Sequence, residues 1–101
     1  MDSLWPFLFH YLNSNLKDYL TTRNVDVSYS VTASDFGTFT FTAPTIEGYS
    51  ARFVVPVWSG NANVVFTDCR VDNYSIRLRN LTTATTTGSA RVCLVYVRNI
   101  L

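Results

Sequence analysis

Asn24-Val25-Asp26-Val27-Ser28-Tyr29-Ser30-Val31-Thr32 decides the fold: apolar side chains at 25, 27, 29 and 31 alternate with polar ones at 26, 28, 30 and 32. A period of two is that of a β-strand with one buried and one wet face. The alternation returns downstream. Phe39 and Phe41 alternate with Thr38, Thr40 and Thr42, and Tyr74, Ile76 and Leu78 with Ser75, Arg77 and Arg79. Asp35-Phe36-Gly37 supplies the turn between the first two strands, and Pro44 closes the second. Two longer runs, 49–58 and 90–100, are apolar on both faces. Such a strand is central in its sheet or covered by a neighbour. Pro56, which has no N–H to donate, marks an edge or a bulge in the first of them. Ser59-Gly60-Asn61 and Val71-Asp72-Asn73 read as turns flanking a strand at 63–67, and residues 82–89 (Thr-Thr-Ala-Thr-Thr-Thr-Gly-Ser) as a polar loop. About six strands joined by hairpin-type turns predict a mainly β domain over 24–101, an antiparallel, jelly-roll-like β-sandwich.

Residues 1–23 follow a different period. Leu4, Leu8, Leu12, Leu16 and Leu20 recur at helical spacing, with Trp5, Phe9 and Tyr19 beside them. Ser3 is a fitting N-cap, and Pro6 falls in the first turn, where a missing N–H does little harm. Asn13, Ser14, Lys17 and Asp18 take the other side. This predicts one amphipathic α-helix over 4–20 whose stripe (Leu4, Trp5, Leu8, Phe9, Leu12, Leu16, Tyr19, Leu20) is an oligomer or partner interface. The stripe has three possible covers: the β domain, other copies of itself, or a membrane surface. A single Lys on the polar face disfavours the membrane. No segment reaches the roughly 18 apolar residues that cross a bilayer. The opening Met1-Asp2-Ser3 lacks the basic residues of a signal peptide, so the segment is read as part of the mature protein.

Composition narrows the function. The chain has 101 residues, the size of one domain, and a formal net charge of +1 with only 15% charged residues. That is too little surplus Lys and Arg for a nucleic-acid binder that neutralises phosphates. One Lys, one Glu and no Gln stand against thirteen Thr, nine Ser and eight Asn. The surface is therefore built of hydroxyls and amides, which suit strands better than exposed helix faces. Cys69 and Cys93 either pair or serve as small buried apolar residues; nothing else marks a disulfide-dense scaffold, so the reduced state is favoured.

Catalytic residues are sparse. The one histidine, His10, lies in the predicted helix without partners at metal-ligand spacing. The seven acids are scattered, and no phosphate loop or nucleophile motif is present. The expectation is a non-enzyme with no catalytic residues, no metal and no cofactor. Asp68, Arg70 and Asp72 alternate, as do Arg77 and Arg79. They form either a small basic strip for an anion or acidic sugar, or cross-strand pairs of Asp68 and Asp72 with Arg77 or Arg79. Trp58-Ser59-Gly60-Asn61-Ala62-Asn63 is the best ligand candidate. Trp58 at a strand end can stack on a sugar face while Asn61 or Asn63 hydrogen-bonds its hydroxyls; its alternative role is to cap the core or fill an interface. The sequons Asn73-Tyr74-Ser75 and Asn80-Leu81-Thr82 read as chance in a Ser/Thr/Asn-rich chain.

One family resemblance runs through residues 37–98. Gly48-Tyr49, Val57-Trp58-Ser59-Gly60, Tyr74-Ser75-Ile76-Arg77-Leu78-Arg79-Asn80-Leu81 and Ala90-Arg91-Val92-Cys93-Leu94-Val95-Tyr96-Val97-Arg98 occur in that order. The series resembles the C-terminal receptor-binding head domains of phage tail-fibre and tail-spike type proteins. The resemblance implies a homotrimeric β head on the virion that binds a host-surface receptor, often a saccharide. The predicted helix then resembles a stem joining three chains. Tail fibres are longer, so a capsid decoration, head-fibre or connector protein anchored to other virion proteins through helix 4–20 is the alternative. A small inhibitor docking on a host enzyme through the same stripe is a third.

Overall fold

The computed structural model describes residues 19–99, which are mainly β. Six strands follow one another: β1 (Leu20–Val31), β2 (Phe36–Thr40), β3 (Tyr49–Trp58), β4 (Val64–Arg70), β5 (Ser75–Asn80) and β6 (Thr86–Arg98). They make two three-stranded antiparallel sheets, ordered β1-β6-β3 and β2-β5-β4. In the first, β6 runs between β1 and β3, which is why its sequence is apolar on both faces. Its partner β3 is an edge strand, and the ladder slips between Pro56 and Trp58, where proline cannot donate.

The alternation in the sequence becomes the core. On β1, Val27, Tyr29 and Val31 are buried, and on β6 Ala90, Val92, Leu94 and Tyr96. The other sheet contributes Ile76 and Leu78 from β5 and Val64 from β4. Val27, Tyr29, Val31, Ala90 and Val92 join Val64, Ile76 and Leu78 in one cluster drawn from both sheets, with Phe39, Phe41, Val54, Phe66 and Cys69 packed against it. Fully burying each such aliphatic side chain is worth about 1.5–3 kcal/mol, so this cluster is the main force holding one sheet to the other.

Several boundaries differ from those the sequence predicts. Strand β1 starts at Leu20, so a domain boundary between 23 and 24 falls inside it. Thr21, Thr22, Arg23 and Asn24 show no apolar alternation, yet they ladder onto the apolar end of β6, from Tyr96 back to Cys93. The expected polar loop 82–89 is shorter, because Thr86, Thr87, Gly88 and Ser89 continue β6 and pair with Val31, Ser30, Tyr29 and Ser28. Phe36 belongs to β2 opposite Arg79, not to the turn. Tyr74 precedes β5 with a positive φ of 47°, and its ring meets Phe41 at 6.0 Å. Of the predicted helix and its stripe, Leu4, Trp5, Leu8, Phe9, Leu12 and Leu16 lie outside the described residues, as does His10. Leu20, assigned by its spacing to the helix, is a strand residue facing away from the core and 43% exposed.

Candidate functional site

Trp58 ends β3 with 56% of its surface exposed, unusual for so large an aromatic. The turn after it is tightly made. The Ser59 hydroxyl donates to the Asn61 carbonyl at 2.6 Å, and the Asn63 N–H donates to Asn61 Oδ1 at 2.8 Å. Gly60 has a φ of +84°, and a Cβ there would run into the Ser89 carbonyl oxygen of β6. Glycine is therefore required twice, for its φ and for the close approach. The turn thereby holds Trp58 and Asn61 on the rim of a hollow of about 270 Å³, also lined by Pro56, Ala62, Val65 and Phe66. Asn63 does not line it; its carbonyl accepts from the Leu81 N–H at 2.9 Å and ties the turn to the loop after β5. A second hollow, bounded by Asp26, Val57, Ser89 and Arg91, also touches Trp58. An exposed indole beside the Asn61 amide offers an apolar plane with a polar neighbour.

Arg77 and Arg79 point outward from the other sheet. Both guanidinium groups lie over the Phe36 ring, at 4.4 Å and 5.0 Å from its centroid. Asp68 stands opposite Arg77 in the β4–β5 ladder, one of the cross-strand pairs the sequence offers, without a direct ion pair between them. Asp68 instead takes a 2.7 Å bond from Arg70, two residues along β4, which holds its carboxyl below the usual carboxylate range. The ladder slips between Phe66 and Asp68, and the exposed Phe36 gives the arginines a ring face to stack on. Arg77 lines a separate hollow of about 330 Å³ with Asp68, Arg70, Asn73 and Ser75. That hollow shares no lining residue with the one at Trp58, so the structure splits the predicted ligand residues into two groups.

Two features carried little sequence signal. Asn80 is fully buried and organises the loop after β5. Its amide nitrogen donates to the Val31 and Ala84 carbonyls at 3.0 and 2.9 Å, and its oxygen accepts from the N–H and hydroxyl of Thr82. Such an amide is closed to glycosylation, and the sequon at 80–82 is a structural motif instead. The second is the outward face of the β1-β6-β3 sheet. Phe53, Val55 and Val57 of β3 are exposed there, beside half-buried Cys93, Val95 and Val97 of β6. Cys93 and Cys69 are both free, in different sheets. Among the described residues, no group of His, Cys, Asp or Glu is placed to hold a metal ion. No protein-family model, no curated protein and no solved structure matches this chain.

Proposed function

We propose that the chain is an adhesive module of a bacteriophage virion, a homotrimeric β head that binds a host-surface saccharide. The observation that carries the saccharide reading is Trp58, half exposed on a tightly built turn with the Asn61 amide beside it. The phage assignment rests on the strand motifs between residues 37 and 98. In this reading the two sheets are the layers of a jelly-roll-like β-sandwich, with the shared apolar cluster between them. The module catalyses nothing and needs no cofactor. Its partners are further copies of itself, other virion proteins and the receptor. A shallow site of this size binds weakly on its own, and linking copies raises overall affinity without new contacts. A trimer therefore suits adhesion better than a single chain.

The test is binding of the full chain to arrayed host-surface glycans, with Trp58→Ala alongside. Binding should fall at least tenfold in the variant while the far-ultraviolet spectrum is unchanged. Equal binding by both proteins would remove the saccharide site, and a monomeric mass in solution would remove the trimer.

A further inference from the structure

We infer that the outward face of the β2-β5-β4 sheet carries a second binding site, for an acidic sugar whose carboxylate is taken by Arg77 and Arg79 and whose hydroxyls meet Thr38, Asp68 and Asn73. This site does not depend on the saccharide reading of Trp58, because the hollow at Arg77 and the hollow at Trp58 share no lining residue. The sheet brings its parts together. β5 is the central strand, so Arg77 stands between Thr38 and Asp68, and Arg79 between Phe36 and Val65. Ile76 and Leu78 alternate with the arginines and are buried in the core, which anchors β5 and turns both guanidinium groups outward. Thr38, Arg77 and Asp68 line the hollow of about 330 Å³ together with Phe36, Asn73 and Ser75. That volume is at the small end of ligand sites and suits a single sugar unit.

The charges here are unevenly spent. Arg70 takes the Asp68 carboxylate at 2.7 Å and also lies in the field of Asp72. Arg77 and Arg79 have the Phe36 ring instead, with guanidinium carbons 4.4 Å and 5.0 Å from one centroid. A ring contact leaves most of the five N–H donors of each guanidinium unspent. Among the described residues, no carboxylate lies within ion-pair distance of either arginine. Two like charges gathered on one ring repel each other. A carboxylate bound between them offsets that repulsion and takes paired N–H bonds, the geometry in which a guanidinium binds it best.

The neighbours of the arginines decide which anion fits. Asp68 lines the same hollow, and Asp72 adds a second negative charge on the Arg70 side. These carboxylates repel a compact, multiply charged anion but accept hydrogen bonds from hydroxyls. The Ser75 hydroxyl donates to Asn73 Oδ1 at 2.6 Å, which leaves the Asn73 amide nitrogen to donate elsewhere. The Thr38 hydroxyl can do either. Cations beside hydroxyl acceptors and donors match a ligand with one carboxylate and several hydroxyls, which is a uronic-acid type sugar.

The experiment titrates the full chain with sodium glucuronate, glucose and sodium sulfate and follows backbone amide shifts by NMR. Glucuronate should shift the amides of Thr38, Ser75 and Arg77 saturably, and bind at least ~10-fold more tightly than glucose or sulfate. Arg77→Gln and Arg79→Gln should each weaken it at least ~10-fold, the loss of a charged hydrogen bond. Arg52→Gln removes an equal charge from an exposed position on β3, in the other sheet, and should bind like the wild type. Both site arginines are exposed, so the variants should keep the wild-type far-ultraviolet spectrum. Absence of a saturable shift, equal binding of glucose or sulfate, or wild-type affinity in both site variants would each overturn the inference. Trp58→Ala keeps these sites distinct: it should leave the glucuronate shifts intact whatever it does to the glycan array. Loss of those shifts in Trp58→Ala would place the sugar at the indole and overturn the second site.

Discussion

Tyr29 and Gly88 face each other across the β1–β6 ladder, and the pair shows how much one side chain can demand of its neighbour. The tyrosine ring lies over the glycine: a Cβ at Gly88 would come within 2.7 Å of the Tyr29 hydroxyl and 2.9 Å of the ring carbon bearing it. Ala at 88 should therefore destabilise the fold by about 1–3 kcal/mol, the usual cost of overpacking, read from urea midpoints. The hydroxyl itself is buried with no hydrogen-bond partner among the described residues, and desolvation pushes its ionisation up. Tyr29→Phe removes that unpaired group and keeps the ring, including its 6.1 Å contact with Phe39. It should be neutral or stabilising by up to about 1–3 kcal/mol. Asn80 is the opposite case. Its amide is fully spent on neighbours from β1 and from residues 82–86, so Asn80→Ala leaves several buried groups unpaired. A loss of at least ~3 kcal/mol in the same titration is expected. The Tyr96 hydroxyl, which donates to the Pro44 carbonyl at 2.5 Å, is a satisfied counterpart to Tyr29.

The elements were legible where alternation was clean and hidden where pairing alone made the strand. Val25 to Val31 and Ile76 to Leu78 declared themselves by period, and the two-faced run of β6 rightly marked a central strand. Thr21–Asn24 and Thr86–Ser89 did not, because polar residues at the two ends of a β1–β6 ladder carry no burial pattern and are recruited by the register of the middle. The turn at 59–61 was legible as a turn, but its tightness was not: the need for glycine comes from Ser89, distant in sequence. Gly60→Ala should consequently shift the whole Trp58 rim, lowering stability by about 1 kcal/mol or more and weakening ligand binding together. Alternation offered Asp68 and Arg77 as cross-strand neighbours, as they are, but sequence does not show that Asp68 takes its close bond from Arg70 or that Arg77 and Arg79 stack on Phe36. The cross-strand pair Asp26–Arg91 has its own signature in acid. Arg91 holds the Asp26 carboxyl below its ordinary 3.8, so the pair contributes fully above that pH and its contribution is lost as pH falls through the depressed value. Both groups are exposed, so the effect is small and screened by salt. The stability gap between wild type and Asp26→Asn should close on acidification and in high salt, which parallel urea titrations would register.

At the scale of the whole molecule, a nearly neutral surface of hydroxyls and amides leaves two means of attachment, apolar contact and hydrogen bonding. Neither relies on long-range charge. Receptor binding should accordingly change little between low and physiological salt, unlike a site built on arginine pairs such as the one over Phe36. In the adhesive reading proposed above, assembly and the Trp58 turn have separable tasks. Assembly would set how many copies travel together; the turn would set how tightly each copy holds a sugar. Trp58→Ala should weaken binding equally to a soluble monovalent glycan and to a glycan-coated surface, per site. Dilution to single chains should leave the affinity for the soluble glycan unchanged, because every lining residue of the hollow beside Asn61 belongs to one chain. On the coated surface it should lose the gain from linked sites, about 10²–10⁴-fold, because the copies no longer arrive together. Equal losses in both formats on dilution would mean that assembly and the turn form one site, and would remove the division of labour between them.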